Sequence, residues 1–272
     1  MNQSLKAAVY GLAVADALGV PYEFLTRGSF KTVEMTGYGS HQQPAGTWSD
    51  DTSLVLATCD SIRGKGRIDP NDMRQRFENW LFEGAYTPDG LTFDVGNATR
   101  EALTRGHGLS DEYSNGNGSL MRILPLAFTE VGPSDIEAVS SITHAHVTSV
   151  EACQLYVDIA RRLLKGRQLS EILSCLETST TYARLQTLAE LTEDDIRSTG
   201  YVVDTLEAAL WCLLTSTSYL ETVLKAVNLG DDTDTVAAVA GGLAGIIYGL
   251  EGIPDNWLAQ LRNKELLESC LF

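Results

Sequence analysis

The sequence predicts an all-α protein, because apolar residues recur at helical spacing and strand-like alternation is almost missing. The one candidate strand is the short segment "KTVEM" at 31–35. Glycine-rich segments interrupt the periodic ones and supply loops; they lie at Gly37–Gly46, Gly84–Gly96, Gly106–Gly118 and Gly230. Because neither an internal repeat nor a linker is visible in the 272 residues, we expect a single domain over residues 1–272.

The predicted helices follow from the 3.6-residue periodicity of their apolar positions. In chain order they are Leu5–Leu18, Thr52–Ile62, Pro70–Glu83, Val95–Arg105, Leu120–Phe128, Asp135–His144, Ser149–Lys165, Ser170–Leu176, Asp204–Thr215, Tyr219–Asn228 and Asp234–Tyr248. Two sites carry a capping box, in which a hydroxyl and an acid three residues later bind free backbone N–H groups: Ser134 with Glu137, and Thr192 with Asp195.

Charge and cysteine usage exclude several classes of protein. The chain has 36 acidic and 20 basic residues, a formal charge of -16, which argues against a nucleic-acid partner. Five scattered cysteines without a C-x-x-C pair are typical of reduced thiols. The early segment "AAVYGLAVA" is too short and too interrupted for a signal peptide, and no run approaches the roughly 20 apolar residues of a membrane span. We expect a cytoplasmic monomer without a membrane partner.

An acid ends the apolar stripe of the first predicted helix. Leu5, Val9, Leu12 and Asp16 share one face at offsets of four, seven and eleven residues. A carboxylate buried there needs a cation, a metal or several hydrogen-bond donors, whereas one exposed at the helix end would only be solvated. Glu23 follows in the same vicinity.

Two adjacent carboxylates stand in the segment "GTWSDDTS", Gly46–Ser53, directly before an apolar run. Capping of the next helix explains this segment about as well as metal binding does. A second acidic segment, "NLGDDTDT" at Asn228–Thr235, has the same construction. Its three acids within four positions exceed what one helix cap can use.

The similarity of the two acidic segments indicates one shared metal site. If the two helix starts meet, repulsion between carboxylates, on the order of a kcal/mol for each close pair, destabilises the fold unless cations are bound. Neither segment has a histidine or cysteine nearby, which disfavours zinc and favours Mg²⁺ or Mn²⁺. The number of acids suits two ions that share ligands.

A series of motifs with a characteristic order runs along nearly the whole chain. The motifs are "GLAVADALGVPYE" at 11–23, "WSDDT" at 48–52, "DVGNAT" at 94–99, "NGSLMRILPLA" at 117–127, "THAH" at 143–146, "GYVVDTLEAALW" at 200–211, "GDDTDTVAAVAGGLAG" at 230–245 and "GIPDNW" at 252–257. With them the chain resembles the ADP-ribosylglycohydrolases, the family of the bacterial hydrolase that releases ADP-ribose from dinitrogenase reductase and of the eukaryotic ADP-ribosyl-acceptor hydrolases.

The resemblance implies a compact orthogonal bundle of helices with a two-metal site at converging helix N-termini. It implies two groups of metal ligands, which are Ser49, Asp50 and Asp51 in the first segment and Asp232, Asp234 and Thr235 in the second. Asp16 would then orient ligands or bound water. The cofactors implied are two divalent cations, Mg²⁺ or Mn²⁺.

The activity implied is hydrolysis of the N-glycosidic bond between ADP-ribose and a modified protein side chain, most readily arginine. The reaction builds positive charge on the sugar carbon, which carboxylates and an activated water suit. We expect Asp94 or Glu23 to transfer the proton, with Asp50 beside them in the catalytic centre. The partner would be an ADP-ribosylated protein.

The segment "SNGNGSLMR" at 114–122 is expected to form a wall of the substrate cleft, with backbone N–H groups and Arg122 facing phosphate oxygens. As an isolated pattern it would more often be an ordinary turn. The substrate-binding residues expected here and in the "DVGNAT" motif are Asn117, Gly118, Ser119, Arg122, Gly96 and Thr99. His144 and His146 have no metal-like spacing, so we expect structural or hydrogen-bonding roles.

Several aromatic residues could stack on the adenine. Tyr201 and Phe93 remain candidates, whereas helical spacing favours core packing for Trp211 and Tyr156. Other functions stay open at this stage: a non-catalytic ADP-ribose-binding or toxin-neutralising protein of the same fold, or a hydrolase of O-linked or small-molecule ADP-ribose adducts. A two-metal nucleotide phosphohydrolase ranks behind these, because its usual His-Asp pair and E-x-x-E/D helices are not evident.

Overall fold

A computed structural model describes residues 2–272, and within that range the chain is built from helices and loops without a β-strand. The α-helices are α1 (Gln3–Gly19), α2 (Asp50–Lys65), α3 (Pro70–Glu83), α4 (Asn97–Arg105), α5 (Pro133–Ser140), α6 (Val147–Leu164), α7 (Leu169–Ser174), α8 (Val202–Leu214), α9 (Tyr219–Asn228), α10 (Thr233–Tyr248), α11 (Asp255–Gln260) and α12 (Lys264–Cys270). Shorter 3-10 helices occupy Val20–Tyr22, Gly39–His41, Leu120–Arg122, Leu124–Phe128, Thr180–Glu190, Glu193–Asp195 and Leu250–Gly252. The predicted fold class is confirmed.

Helices α1 and α10 form the centre of the molecule, and they pack antiparallel through small residues. A Cβ atom added at Gly11 would lie 2.4 Å from the carbonyl oxygen of Gly241, and one added at Gly245 would lie 2.3 Å from that of Ala7. At the far end of the pair, a Cβ at Gly19 would lie 2.4 Å from the Cα of Asp234. The close approach therefore brings the C-terminal end of α1 against the acidic start of α10.

Other helices surround this central pair and are tied to it by buried tyrosines. The Tyr219 hydroxyl at the start of α9 donates to the Gly11 carbonyl at 2.5 Å, and the Tyr156 hydroxyl of α6 donates to the Val239 carbonyl at 2.8 Å. Tyr156 and Trp211 are both buried, as their helical spacing predicts.

The predicted α-helix at Leu120–Phe128 is wrong in type, because the structure has two consecutive 3-10 helices there. Pro125 explains the difference, since it lacks an N–H group and its ring collides with the carbonyl four residues earlier in an α-helix. The candidate strand at 31–35 is also wrong. The backbone of Thr32 donates to and accepts from the amide side chain of Asn228, at 2.9 and 3.0 Å, in place of a neighbouring strand.

The capping box predicted at Ser134 and Glu137 is displaced. Helix α5 begins at Pro133, which suits the first helical position, and the Asp135 carboxylate accepts from the Gly132 N–H at 3.1 Å. The box at Thr192 and Asp195 is confirmed. Helices α11 and α12 and the 3-10 helix at Thr180–Glu190 were missed.

Each helix in the described range 2–272 falls short of the length or the apolar character that crossing a bilayer would require.

Candidate metal centre and substrate cleft

The two acidic segments lie side by side at the N-terminal ends of α2 and α10. The Thr235 hydroxyl donates to Asp51 Oδ2 at 3.3 Å and links the two helix starts. One carboxylate oxygen each from Asp16, Asp51 and Asp234 lie within 4.8 Å of one another, and all three residues are buried. The predicted convergence of the two helix N-termini is therefore confirmed.

Asp16, at the end of the apolar stripe of α1, anchors the start of α2. Its Oδ1 accepts from the Ser49 N–H at 2.9 Å, and its Oδ2 accepts from the N–H of Thr52 at 3.1 Å and from the Thr52 hydroxyl at 2.5 Å. Burial raises the pKa of Asp16 to about 6, although these hydrogen bonds act in the opposite direction. Asp16 is thus buried with several donors and is not solvated at the helix end, and it fixes the turn that presents Asp50 and Asp51.

Three carboxylate oxygens in this cluster are buried without a hydrogen-bond partner among residues 2–272. They are Asp51 Oδ1, Asp232 Oδ1 and Asp234 Oδ2. An unsatisfied buried carboxylate oxygen is costly unless a cation or a donor reaches it. These oxygens are also the ligand type that hard divalent cations prefer. The residues present therefore fit a bound divalent cation.

The pKa values of the clustered acids also indicate that the site lacks positive charge. Burial first, and the charges of neighbouring acids second, raise the pKa values of Asp50, Asp51 and Asp234 well above the usual range. Burial likewise raises the pKa of Asp232. Without added positive charge, this group of carboxyls resists full ionisation at neutral pH.

Glu23 joins the cluster through a pair of interlocked loops. The Phe24 N–H donates to the Asp231 carbonyl at 2.7 Å, and the Asp231 N–H donates to the Leu25 carbonyl at 2.9 Å. Gly230 permits this pairing, because its φ is 78° and an added Cβ would lie 2.5 Å from the Arg27 nitrogen. One Glu23 oxygen consequently lies within 4.8 Å of oxygens of Asp232 and Asp234.

On its other side, Glu23 contacts His41, which the sequence did not identify as a site residue. His41 Nε2 contacts Glu23 Oε2 and lies 3.8 Å from Asp94 Oδ1. The Ser40 hydroxyl donates to the Glu23 carbonyl at 2.5 Å and ties the His41 turn to the Glu23 loop. Burial, followed by the charges of Asp94 and Asp232, raises the pKa of Glu23 to about 10.

A cleft of about 390 Å³ opens beside the acidic cluster. Its wall contains most of the predicted catalytic, substrate-binding and ligand residues, namely Glu23, Asp50, Asp94, Gly96, Thr99, Asn117, Gly118, Asp232 and Thr235. Ser49, Asp51 and Asp234 do not line it; they are buried directly beneath, as their hydrogen bonds and short separations from Asp16 show.

The Asn-Gly segment lines this cleft at residues 116–118 and also orients a carboxylate. Asn117 Nδ2 donates to Asp232 Oδ2 at 2.7 Å and to the Thr205 hydroxyl at 2.9 Å. Asp232 Oδ2 is therefore engaged while its Oδ1 stays available. A Cβ added at Gly118 would lie 2.7 Å from His144 Cε1 and 2.9 Å from the Thr99 hydroxyl, so only glycine fits this corner.

The structure corrects the placement of Arg122 and Ser119, which were expected in the cleft wall. Arg122 is fully buried, its Nη2 donates to the Thr143 hydroxyl at 2.8 Å, and its guanidinium lies 4.6 Å from the Phe77 ring centre. Ser119 is also buried and accepts from the Ser140 hydroxyl. The turn carries both side chains into the core, where they hold the loop in place and do not line the cleft.

The two histidines of the "THAH" motif have different positions. His144 is buried in the cleft wall, and burial together with the charge of Arg122 lowers its pKa to about 3, which keeps it neutral. His146 caps α6, because its Nδ1 accepts from the Thr148 N–H at 3.2 Å.

His41 and the exposed cleft residues Phe24 and Tyr113 could not be found from spacing, since they lie in irregular loops.

Comparison with known proteins gives a consistent set of relatives. The model of the ADP-ribosylglycohydrolase family matches residues 2–271. The chain is 37% identical to the ADP-ribosylarginine hydrolase Tri1 of Pseudomonas putida (strain GB-1), with 94% of this chain and 73% of the relative covered. It is 33% identical to the ADP-ribosyl-dinitrogen reductase glycohydrolase of Rhodospirillum rubrum, with 94% and 90% covered.

The fold has a close counterpart among solved structures. A structure described as an ADP-ribosylglycohydrolase-related protein complex superposes with a TM-score of 0.84 at 34% identity, over 98% of this chain and 95% of the other. A family match along nearly the whole sequence and a shared fold coincide with an acidic centre beside a cleft. The chain therefore belongs to the ADP-ribosylglycohydrolase family of enzymes.

Proposed function

We propose that this chain is a metal-dependent hydrolase that cleaves the N-glycosidic bond between ADP-ribose and a modified arginine side chain, and so reverses ADP-ribosylation of a protein. The observation that carries the proposal is the cluster of buried oxygens without partners, Asp51 Oδ1, Asp232 Oδ1 and Asp234 Oδ2, beside a cleft. The relatives named as acting on ADP-ribosylarginine and on ADP-ribosyl-dinitrogen reductase support the choice of substrate.

Two divalent cations, Mg²⁺ or Mn²⁺, are the proposed cofactors. The residues that would hold them are Ser49, Asp50, Asp51, Asp232, Asp234 and Thr235. When bound, the cations would supply the positive charge that this cluster lacks and would activate a water molecule. Asp16 would keep the first group in position through its hydrogen bonds to Ser49 and Thr52.

The proton transfers are assigned to Glu23 and Asp94, with Asp50 adjacent in the cleft wall. Cleavage builds positive charge on the ribose carbon. Carboxylates of the cleft wall stabilise this charge. The raised pKa of Glu23 favours its protonated form, so Glu23 can hold the proton that the departing side chain takes up. His41 contacts Glu23 and limits the orientations that its carboxyl can adopt.

ADP-ribose itself is proposed to lie along the part of the cleft formed by the "DVGNAT" and Asn-Gly segments. Gly96, Thr99, Asn117 and Gly118 line the cleft there and can offer backbone N–H groups and hydroxyls to the pyrophosphate and the riboses. We further expect the enzyme to act on its modified protein partner as a cytoplasmic, single-domain monomer.

The direct test is hydrolysis of arginine-linked and serine-linked ADP-ribosyl peptides by the purified protein with Mg²⁺, Mn²⁺ or a chelator. Release of ADP-ribose from the arginine-linked peptide, dependent on a divalent cation, is the expected result. Turnover that persists after exhaustive chelation would exclude the proposed metal dependence, and release from the serine-linked peptide alone would replace arginine with an O-linked substrate.

The roles of Asp94 and Glu23 predict separable effects on turnover and metal binding. Asp94→Asn and Glu23→Gln are each expected to lower kcat by roughly a hundredfold or more, because a positioned proton-transfer group is lost. The rise of the thermal midpoint on adding Mn²⁺ should persist in both variants. Asp255→Asn, an exposed acid in α11, is the matched control. An Asp94→Asn enzyme with normal kcat would remove Asp94 from the mechanism.

A further inference from the structure

Phe24 exposes its ring at the mouth of the cleft in a backbone conformation that costs energy. The residue is 71% exposed, lines the cleft and has a φ of 66°. A bulky side chain with positive φ is an outlier that persists only where its surroundings impose it. Here the two backbone hydrogen bonds between the Phe24–Leu25 segment and Asp231 impose it. The fold thus holds an aromatic ring in the solvent at the entrance.

The Phe24 ring is the outermost of three rings in a row. Its centroid lies 5.8 Å from that of His41, and the His41 centroid lies 5.2 Å from that of Phe93. Two carboxylates border the row, because His41 contacts Glu23 and Asp94 follows Phe93 in the chain. Asp94 also has a positive φ, of 53°. Phe24 and Asp94, both with positive φ, therefore bring a ring and a carboxylate to the cleft wall, and His41 and Phe93 pack next to them.

The charge of the cleft determines what this end can accept. No lysine or arginine belongs to the cleft wall in the part of the chain that the structure covers, residues 2–272, whereas four acids do: Glu23, Asp50, Asp94 and Asp232. A cationic group that enters at the Phe24 end therefore meets acidic side chains and no basic side chain of the cleft wall. A flat, delocalised cation gains more than a compact one, because it can stack on a ring while its N–H groups pair with a carboxylate.

We propose that Phe24, backed by His41 and Phe93 and flanked by Glu23 and Asp94, forms a subsite for the guanidinium group of the modified arginine. This inference rests on the proposed function and adds to it the group that recognises the linked side chain. Phe24 supplies the stacking face, the Asp94 carboxylate supplies the charge, and the Glu23 carboxyl offers a further hydrogen-bond acceptor. A serine linkage offers neither a planar surface nor a positive charge, so this subsite favours arginine-linked substrates over serine-linked ones.

Paired peptides test the subsite without depending on turnover. A short arginine peptide and its citrulline counterpart, which is nearly isosteric but uncharged, are titrated by calorimetry into the Mn²⁺-loaded enzyme with ADP-ribose present. The arginine peptide should bind about tenfold more tightly than the citrulline peptide, and Phe24→Ala should remove most of that difference. Phe24→Tyr should keep it, and Phe24→Leu, which keeps bulk without a π face, should lose it.

Steady-state kinetics supply the second readout. Phe24→Ala and Phe24→Leu should raise KM for the arginine-linked peptide by about fivefold to tenfold with a smaller change in kcat. Phe82→Ala is the matched control, because Phe82 on α3 is similarly exposed, at 65%, and does not line the cleft. Circular dichroism confirms that each variant is folded.

The outcomes separate this inference from the proposed function. If the wild-type enzyme releases ADP-ribose from neither linkage, the proposed function fails, while the peptide titration still measures the subsite. Equal affinity for the arginine and citrulline peptides overturns the subsite. So does a Phe24→Leu enzyme with unchanged KM and unchanged peptide discrimination.

Discussion

Individual carboxylate oxygens determine what the centre can bind. Asp234 is fully buried, its Oδ1 accepts from the Thr235 N–H at 3.0 Å, and its Oδ2 has no donor within residues 2–272. Its charge interacts with those of Glu23, Asp51 and Asp232, which raise its pKa after burial has done so. The Asp234 charge therefore destabilises the fold by itself, and a bound cation would make it stabilising.

The effect of Asp234→Asn on the free energy of unfolding is expected to have opposite signs in metal-free and metal-loaded protein. With a chelator present, the neutral isostere removes repulsion and should raise the free energy of unfolding by on the order of 1 kcal/mol. With Mn²⁺ present, the variant should be less stable than the wild type and should bind the metal more than about a hundredfold more weakly. Denaturant unfolding in both conditions measures this, with the exposed Asp194→Asn as control. A variant destabilised equally in both conditions would contradict a metal role for Asp234.

At the scale of elements, the α1–α10 contact sets the geometry of the centre. Gly241 packs so tightly that an added Cβ would lie 2.5 Å from the Ala15 Cβ and from the Gly11 carbonyl oxygen. The atoms in contact belong to the backbone or, at the Ala15 Cβ, are fixed directly to it, so neither helix can relieve the contact by rotating a flexible side chain. The distance between Asp16 and Asp234 follows from this packing.

Gly241→Ala should destabilise the protein by about 2 kcal/mol, because the cost of separating the helices exceeds the gain in helix propensity, about 1 kcal/mol. The same substitution should weaken Mn²⁺ binding, although residue 241 carries no ligand. Gly132→Ala is the control, since an added Cβ there meets no atom within 4 Å. Thermal unfolding and calorimetric titration with Mn²⁺ report the two effects, and unchanged metal affinity would show that the centre tolerates movement of α10.

The elements also show what sequence can and cannot predict. Helices α3 and α9 begin and end at the predicted residues, because their apolar periodicity is complete. The convergence of the acidic segments was predicted from their shared construction. The displacement of Arg122 was not, because periodicity does not reveal which way a 3-10 turn directs a side chain. His41 was missed since its role depends on loops that approach from different parts of the chain.

At the scale of the molecule, buried titratable groups couple stability to pH. His144 has a pKa of about 3 in the folded chain, against an ordinary value of 6.5. Between those values the unfolded chain binds a proton that the folded chain does not, so acidification favours unfolding. The raised pKa values of Asp16 and Glu23 act in the opposite direction, because the folded chain then holds the extra protons.

A comparison of pH dependence isolates the histidine from the acids. Between pH 7 and pH 5, His144 should lower the free energy of unfolding by about 2 kcal/mol, and His144→Gln should lack this component. The variant's stability should therefore fall less, or rise, over the same interval. Chemical denaturation at both pH values, with a chelator present, measures the difference. Parallel pH profiles for the two proteins would mean that His144 is not held neutral.

The central pair joins the beginning of the chain to its last fifth, since α1 ends at Gly19 and α10 begins at Thr233. During synthesis the apolar face of α1 leaves the ribosome long before the helix that covers it exists. Asp16 and Asp51 are likewise synthesised long before Asp234, which completes the oxygen cluster. The oxygen cluster can therefore form only after residue 234 has been synthesised, and a product truncated before Asp232 lacks the carboxylates that α10 brings to it.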